Sequence, residues 1–284
     1  MIKSITFKEV GSVKLPDSVE AGYEFSIPAL EGRTFTFKPG PNIIIGENGS
    51  GKSTLLNVIR GLTFCKRQFG SDVKGMGRSW IGQISIMYEK GYWHLTEMKG
   101  QYKWSVINLR KSEDIESDRA TDNLLNLVQV YESGSRSHGQ NQMNSLYRMM
   151  DYIKGGGELV KDIKDSSHLK FEEMVLKPIE QYTGRDIGGC MLEDIVQYYK
   201  DNIINTTVDT EYNGLTILED EPDMGLDINN IENLYRFLVN APNGYQHIAV
   251  LHNIGIIHKL MEHGGVNFIE LTEGYLDKVE RFFR

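Results

Sequence analysis

Cysteine is nearly absent. Cys65 and Cys190 stand far apart with no C-x-x-C pair, so the sequence offers neither a disulfide framework nor a cysteine-based zinc hook. No apolar run approaches the roughly 20 residues needed to cross a bilayer, so membrane insertion is not expected. Met1-Ile2-Lys3-Ser4 leads into no signal-peptide core, which makes cytoplasmic residence the expectation. Internal repeats, low-complexity tracts and sustained heptads are also missing, so long coiled-coil arms are not expected.

Positive charge is in short supply as well. Lys and Arg total 31 against 39 Asp and Glu, a formal net charge of -8. A chain that coats nucleic acid nonspecifically needs clustered cations for phosphate contacts, so that class is disfavoured. A local basic patch remains compatible, and Lys66, Arg67, Lys74 and Arg78 are its candidates. The 284 residues, 40% hydrophobic and 25% charged, suit one large α/β domain with a helical subdomain, or two small domains.

What the chain does contain is a phosphate-binding loop. Gly46-Glu47-Asn48-Gly49-Ser50-Gly51-Lys52-Ser53 is a full G-x-x-x-x-G-K-[ST] motif directly after the apolar run Asn42-Ile43-Ile44-Ile45, and the strand, loop, helix order is the context it requires. Glycines let backbone N–H groups turn inward around phosphates, Lys52 reaches the β/γ-phosphates and the Ser53 hydroxyl can ligate Mg²⁺. The expected nucleotide contacts are Gly46, Asn48, Gly49, Ser50, Gly51, Lys52, Ser53 and Thr54, with a nucleoside triphosphate and Mg²⁺ as ligands.

Downstream, Leu215-Thr216-Ile217-Leu218 reads as a buried strand followed by Glu219-Asp220-Glu221-Pro222. Ligands sit at that end of a strand in an open α/β sheet. Asp220 is the expected metal residue alongside Ser53, and Glu221 the expected catalytic carboxylate that orients or deprotonates the attacking water. Glu219 places a charge where the strand pattern prefers an apolar residue.

These motifs, in this order, resemble the ABC-type ATPases. Asp223-Met224-Gly225-Leu226-Asp227 is similar to the D-loop, with Asp227 in its acidic position, and Ile248-Ala249-Val250-Leu251-His252 is similar to the strand ending in the switch histidine. Arg136-Ser137-His138-Gly139-Gln140 can be laid on the signature L-S-G-G-Q, matching at Ser137, Gly139 and Gln140 and departing at the leucine and the first glycine. The resemblance implies a catalytic His252 beside Glu221, and nucleotide contacts from Ser137, Gly139, Gln140 and Asp227. It also implies a homodimer packed head to tail around two ATP molecules, each signature loop completing the partner's site.

Within that family the spacing between motifs separates branches. Ile84 to Tyr88, Tyr92 to Leu95 and Tyr102 to Leu109 read as three antiparallel strands, with turns at Glu89-Lys90-Gly91 and Lys99-Gly100. A β-meander at 80–110 is similar to the first lobe of the chromosome-maintenance and recombination branch. Gln129 is a candidate for the glutamine loop. Before the phosphate loop, strands are expected around Ile5 to Phe7, Tyr23 to Ile27 and Thr34 to Phe37, with Tyr23 and Phe25 as candidates to stack on adenine.

Met143, Leu146, Met150 and Ile153 predict a helix from Asn141 to Lys154, ended by Gly155-Gly156-Gly157. Met191, Leu192, Ile195, Val196 and Tyr199 predict another, inside a helical insertion at 155–207. The expectation is an α/β protein: a single ABC-type P-loop NTPase domain over 1–284 with an N-terminal antiparallel β lobe and a helical signature-bearing subdomain. Its expected function is an ATP-hydrolysing switch in a nucleic-acid-processing or defence assembly, with nucleic acid and an effector protein as further partners. Two alternatives are the ATPase subunit of a membrane transporter and a nucleotide-binding structural protein with little turnover.

Overall fold

The computed structural model describes residues 1–63, 67–68, 90–100, 106–109, 147, 186–187, 190–191, 214–240 and 244–284. In chain order the first elements are β1 (Ile2–Phe7), 3₁₀ helices at Val10–Ser12 and Tyr23–Ser26, β2 (Thr34–Thr36), β3 (Gly40–Ile45) and α1 (Lys52–Leu62). There follow β4 (Arg67–Gln68), α2 (Tyr92–Leu95), β5 (Thr96–Gly100), β6 (Val106–Leu109), β7 (Asp186–Ile187) and β8 (Cys190–Met191). The last part holds β9 (Leu215–Asp220), α3 (Ile228–Val239), β10 (Tyr245–Val250), α4 (Ile254–His263), β11 (Asn267–Glu270) and α5 (Tyr275–Phe283).

The architecture is α/β. A parallel sheet runs in the order β11-β3-β10-β9-β6-β4, and a separate antiparallel sheet in the order β2-β1-β5. The central strands β3, β9 and β10 are covered on both faces, which is why they are near-continuous buried runs instead of alternating ones. Side chains still alternate between two cores. Ile44, Leu218, Ile248 and Val250 face α1 and the aromatic cluster of Phe7, Phe25 and Phe35, while Ile43, Ile45, Ile217 and Ala249 face α3, α4 and α5. On α1, Leu55, Leu56, Val58, Ile59 and Leu62 are buried, the helical stripe that seats it on the sheet.

Register decides where the chemistry gathers. β10 lies between β3 and β9, with Val250 opposite both Ile44 and Asp220, and Glu270 of β11 lies opposite Ile45. Four parallel strands therefore end along one edge of the sheet, and the segments after Ile45, Asp220, Val250 and Glu270 share a rim. At the opposite edge Gln246 binds the two sheets together: its amide donates to Ile2 O and Lys38 O and accepts from Ile2 N and Thr216 Oγ1.

Several elements differ from expectation. Tyr23–Ser26 is a 3₁₀ helix, in which only Phe25 is buried and the Ser26 hydroxyl donates to Tyr23 O. Tyr92–Leu95 is a helical turn entered through Gly91 at φ 71°, with Tyr92, Trp93 and Leu95 all buried, a pattern that period-2 alternation cannot supply. Lys99 and Gly100 are not a turn but the end of β5, paired antiparallel to β1. β6 runs parallel between β9 and β4, so it belongs to the main sheet and not to a meander. Met191 lies in a strand pair with Asp186 and Ile187, where helical spacing had placed a helix, and Gly188-Gly189 between the strands is the hairpin signal. The predicted helix at 141–154 is described only at Tyr147, which is helical, its hydroxyl accepting from Asn233 Nδ2 at 3.0 Å.

Candidate nucleotide site

The loop after β3 is shaped by its glycines and by what presses on it from outside. Gly51 has φ +91°, and a Cβ there would lie 3.3 Å from Ile27 Cγ2. At Gly46 a Cβ would meet Ser50 Oγ at 2.7 Å and Thr272 Oγ1 at 3.1 Å, so a larger residue would collide inside the loop. Thr272 follows β11, and its hydroxyl accepts from Glu47 N at 3.0 Å while Leu271 N donates to Ile45 O at 2.9 Å. Lys278 of α5 adds an ion pair to Glu47 at 2.5 Å, which holds the Glu47 carboxyl below the usual range. Thr272 was not singled out from the sequence, though the rule that ligands collect where parallel strands end points at it.

Lys52 is buried at the start of α1, its ammonium donating to Gly46 O at 2.9 Å and to Glu47 O at 2.8 Å. Burial lowers its pKa, and the nearby carboxylates of Glu221 and Asp220 work against that shift. The first turn of α1 presents N–H groups without intrahelical acceptors at the positive end of the helix, which is what an anionic phosphate requires. Ser50 Oγ is buried without a hydrogen-bond partner among the described residues, a donor facing the same loop. Gly49 and Thr54 complete the segment, the former at φ +80° with open space around it.

The acid pair meets this loop across the sheet edge. Ser53 Oγ donates to Asp220 Oδ1 at 3.0 Å, joining residues that are 167 apart in sequence. Glu221 has φ 53°, a left-handed conformation shared by no other non-glycine among the described residues. Such a backbone costs about 1–3 kcal/mol and persists only where its surroundings impose it. Here Glu221 N donates to Val250 O at 3.0 Å, and Met224 N closes a turn onto Glu221 O at 3.1 Å with Pro222 as its second residue. His252, after β10, brings Nε2 to 3.3 Å from Glu221 Oε1, both side chains partly exposed.

Other expected residues fall into three groups. Asp227 caps α3, its Oδ1 accepting from Asn230 N at 3.0 Å. Phe25 is fully buried against Phe7 and Tyr92 and cannot stack on a base, whereas Tyr23 is 67% exposed, four residues before the Ile27 that touches Gly51. Ser137, Gly139, Gln140, Gln129, Lys66, Lys74 and Arg78 lie outside the described residues, and Arg67 is described only as part of β4. Glu219, the misfit charge, is fully buried with its Oε1 3.0 Å from Nδ1 of an equally buried His247, which packs edge-on against Phe237. Its side chain points away from the rim into the α3 and α4 core, so it is not part of the nucleotide site.

The family model for the AAA domain matches residues 25–215, more than half of the chain. The chain belongs to the AAA domain family. No curated protein matches this chain. Among solved structures it is similar to a nucleotide-free ATP-binding cassette from an ABC transporter, at 14% identity and a TM-score of 0.35, covering 99% of this chain and 96% of the other. It is similar also to an ATP-binding cassette of an ABC transporter in its ADP conformation, at 17% identity and a TM-score of 0.33, covering 91% and 84%. A bacterial Atm1-family ABC exporter with ATP bound aligns at 14% identity and a TM-score of 0.36, covering 99% of this chain and 40% of that one. Among the described residues, no helix is long and apolar enough to cross a membrane.

Proposed function

We propose that the chain binds ATP with Mg²⁺ at this rim, hydrolyses it, and closes head to tail on a second copy of itself, in the manner of an ABC-type switch. The observation that carries the reading is the 3.0 Å contact between Ser53 Oγ and Asp220 Oδ1, with Lys52 and the Glu221–His252 pair on the same edge. Two hard oxygen donors side by side, with an orphaned buried hydroxyl at Ser50 on the same loop as Ser53, fit Mg²⁺ and phosphate. Ser53 and Asp220 would hold the cation, which when bound supplies charge neutralisation on the phosphate oxygens.

The chain's own groups do the rest. The N–H groups at the start of α1 and the Lys52 ammonium bind the β- and γ-phosphates and fix their orientation. Glu221 accepts a proton from the water as its oxygen bonds to the γ-phosphorus and the bond to the departing ADP oxygen breaks. His252, 3.3 Å from the Glu221 carboxylate, holds that base in place and reaches towards the γ-phosphate. Met224 and Ile228, exposed beside the acid turn at 60% and 81%, are apolar surface that a second copy would cover. Ser137, Gly139 and Gln140 would then complete the partner's site, with Asp227 nearby. The nucleic-acid-processing or defence setting follows the family resemblance.

Turnover tests the reading. Glu221→Gln keeps size and hydrogen bonding but loses the base, so ATP hydrolysis should fall by a factor on the order of 10² to 10⁴ with ATP still bound. Phosphate release and ATP binding measured on both proteins decide it, and a glutamine variant that turns over like wild type removes Glu221 from the chemistry.

A further inference from the structure

We infer that Asp223 is a positioning residue that fixes the switch histidine His252 against Glu221, an inference that rests on the ATPase reading above. Asp223 stands two residues beyond Glu221 on the turn after β9, whereas His252 follows the neighbouring strand β10. Its side chain is buried, and the single oxygen Oδ2 accepts two backbone N–H bonds, from His252 at 2.8 Å and from Asn253 at 2.5 Å. One carboxylate oxygen thus ties together the ends of two strands, at the residue whose imidazole meets Glu221.

The surroundings make the tie stiff. On its far side Asn253 Oδ1 accepts from Gly255 N at 2.9 Å and Ile256 N at 3.3 Å, capping α4, so the backbone of His252 is held between the acid turn and a helix. The Glu221 end is fixed by its own bond to Val250 O. Bonds to an ionised acceptor are roughly twice as strong as neutral ones, and burial of this carboxylate raises its pKa while the two N–H groups oppose that rise. Asp223 Oδ1 is buried without a hydrogen-bond partner among the described residues. A turn alone needs no such buried carboxylate, since an exposed Asn or Ser serves there. What the carboxylate adds is reach to the next strand's end.

The consequence concerns rate and not affinity. In that reading ATP is gripped from the loop after β3 and from α1, to which the Asp223 carboxylate makes no hydrogen bond among the described residues, whereas the Glu221–His252 geometry depends on it. Loss of alignment by about 1 Å costs catalysis on the order of 10²-fold. Asp223→Leu is close in shape and has no acceptor; Asp223→Asn keeps a carbonyl oxygen that can accept both N–H groups. The experiment measures kcat and KM for ATP, ATP dissociation constant, and amide hydrogen exchange at His252 and Asn253.

The leucine variant should lose at least ~10-fold in kcat with ATP affinity within ~3-fold of wild type, and exchange at both amides should accelerate. The asparagine variant should keep kcat within ~3-fold and both amides protected. If leucine prevents folding, Asp223→Ser, too short to reach both amides, should show the same loss of kcat. Near-wild-type kcat in the leucine or serine variant, or unchanged exchange at His252, overturns the inference. A wild-type chain that binds no ATP or does not hydrolyse it would overturn the ATPase reading instead, and the exchange rates would still decide whether Asp223 holds His252.

Discussion

Lys52 sits where the loop, the helix and the acid pair meet, donating to two loop carbonyls and lying within the field of Asp220 and Glu221. Its replacement by alanine should leave the fold standing, because the loop keeps its Thr272 and Leu271 bonds. A hydrogen bond to a charged group is worth about 1.5–3 kcal/mol, so ATP affinity should fall roughly 10- to 100-fold, read by calorimetric titration with unfolding curves as the control. Unchanged affinity would remove the loop from nucleotide binding. The placement of the phosphate loop, Asp220, Glu221 and His252 at strand ends was legible in the sequence, because each lies within a few residues of an apolar strand. The contacts of Asp223 and Thr272 were not, because they reach residues that follow other strands, and no local pattern encodes that.

Among the elements, β9 and β10 carry a feature that periodicity marked only as an anomaly. Glu219 violates the apolar strand, and its explanation is His247, 28 residues later on the adjacent strand, fully buried with it. Removing one partner of a buried pair costs about 3–5 kcal/mol, while replacing both by apolar groups of similar volume is often neutral. Glu219→Leu alone should therefore destabilise by about that amount in urea unfolding, and adding His247→Phe should recover most of it. Single and double variants equal to wild type would show the pair contributes nothing to folding. Short elements misled for a different reason. Over four residues such as Tyr92–Leu95, a helical turn and a strand present the same apolar letters, and only burial of three of them tells which it is.

At the scale of the whole molecule, the parallel order of the strands does the assembling: segments from four places in the chain share one rim only because β10 separates β3 from β9 in register. That rim is open on one side, with His252 and the turn after Glu221 partly exposed, and Met224 and Ile228 beside them. In the proposed function a second copy covers this open side. The α/β class and the order of motifs could be read from the sequence, while the sheet order could not, since parallel pairing joins segments far apart in the chain. Light scattering of Glu221→Gln, with and without ATP, tests the central claim most directly. The account predicts a monomer without ATP, a dimer with it, and a return to monomer when Ser137→Arg is added. A Glu221→Gln protein that binds ATP and stays monomeric, or a double variant that still dimerises, would contradict it.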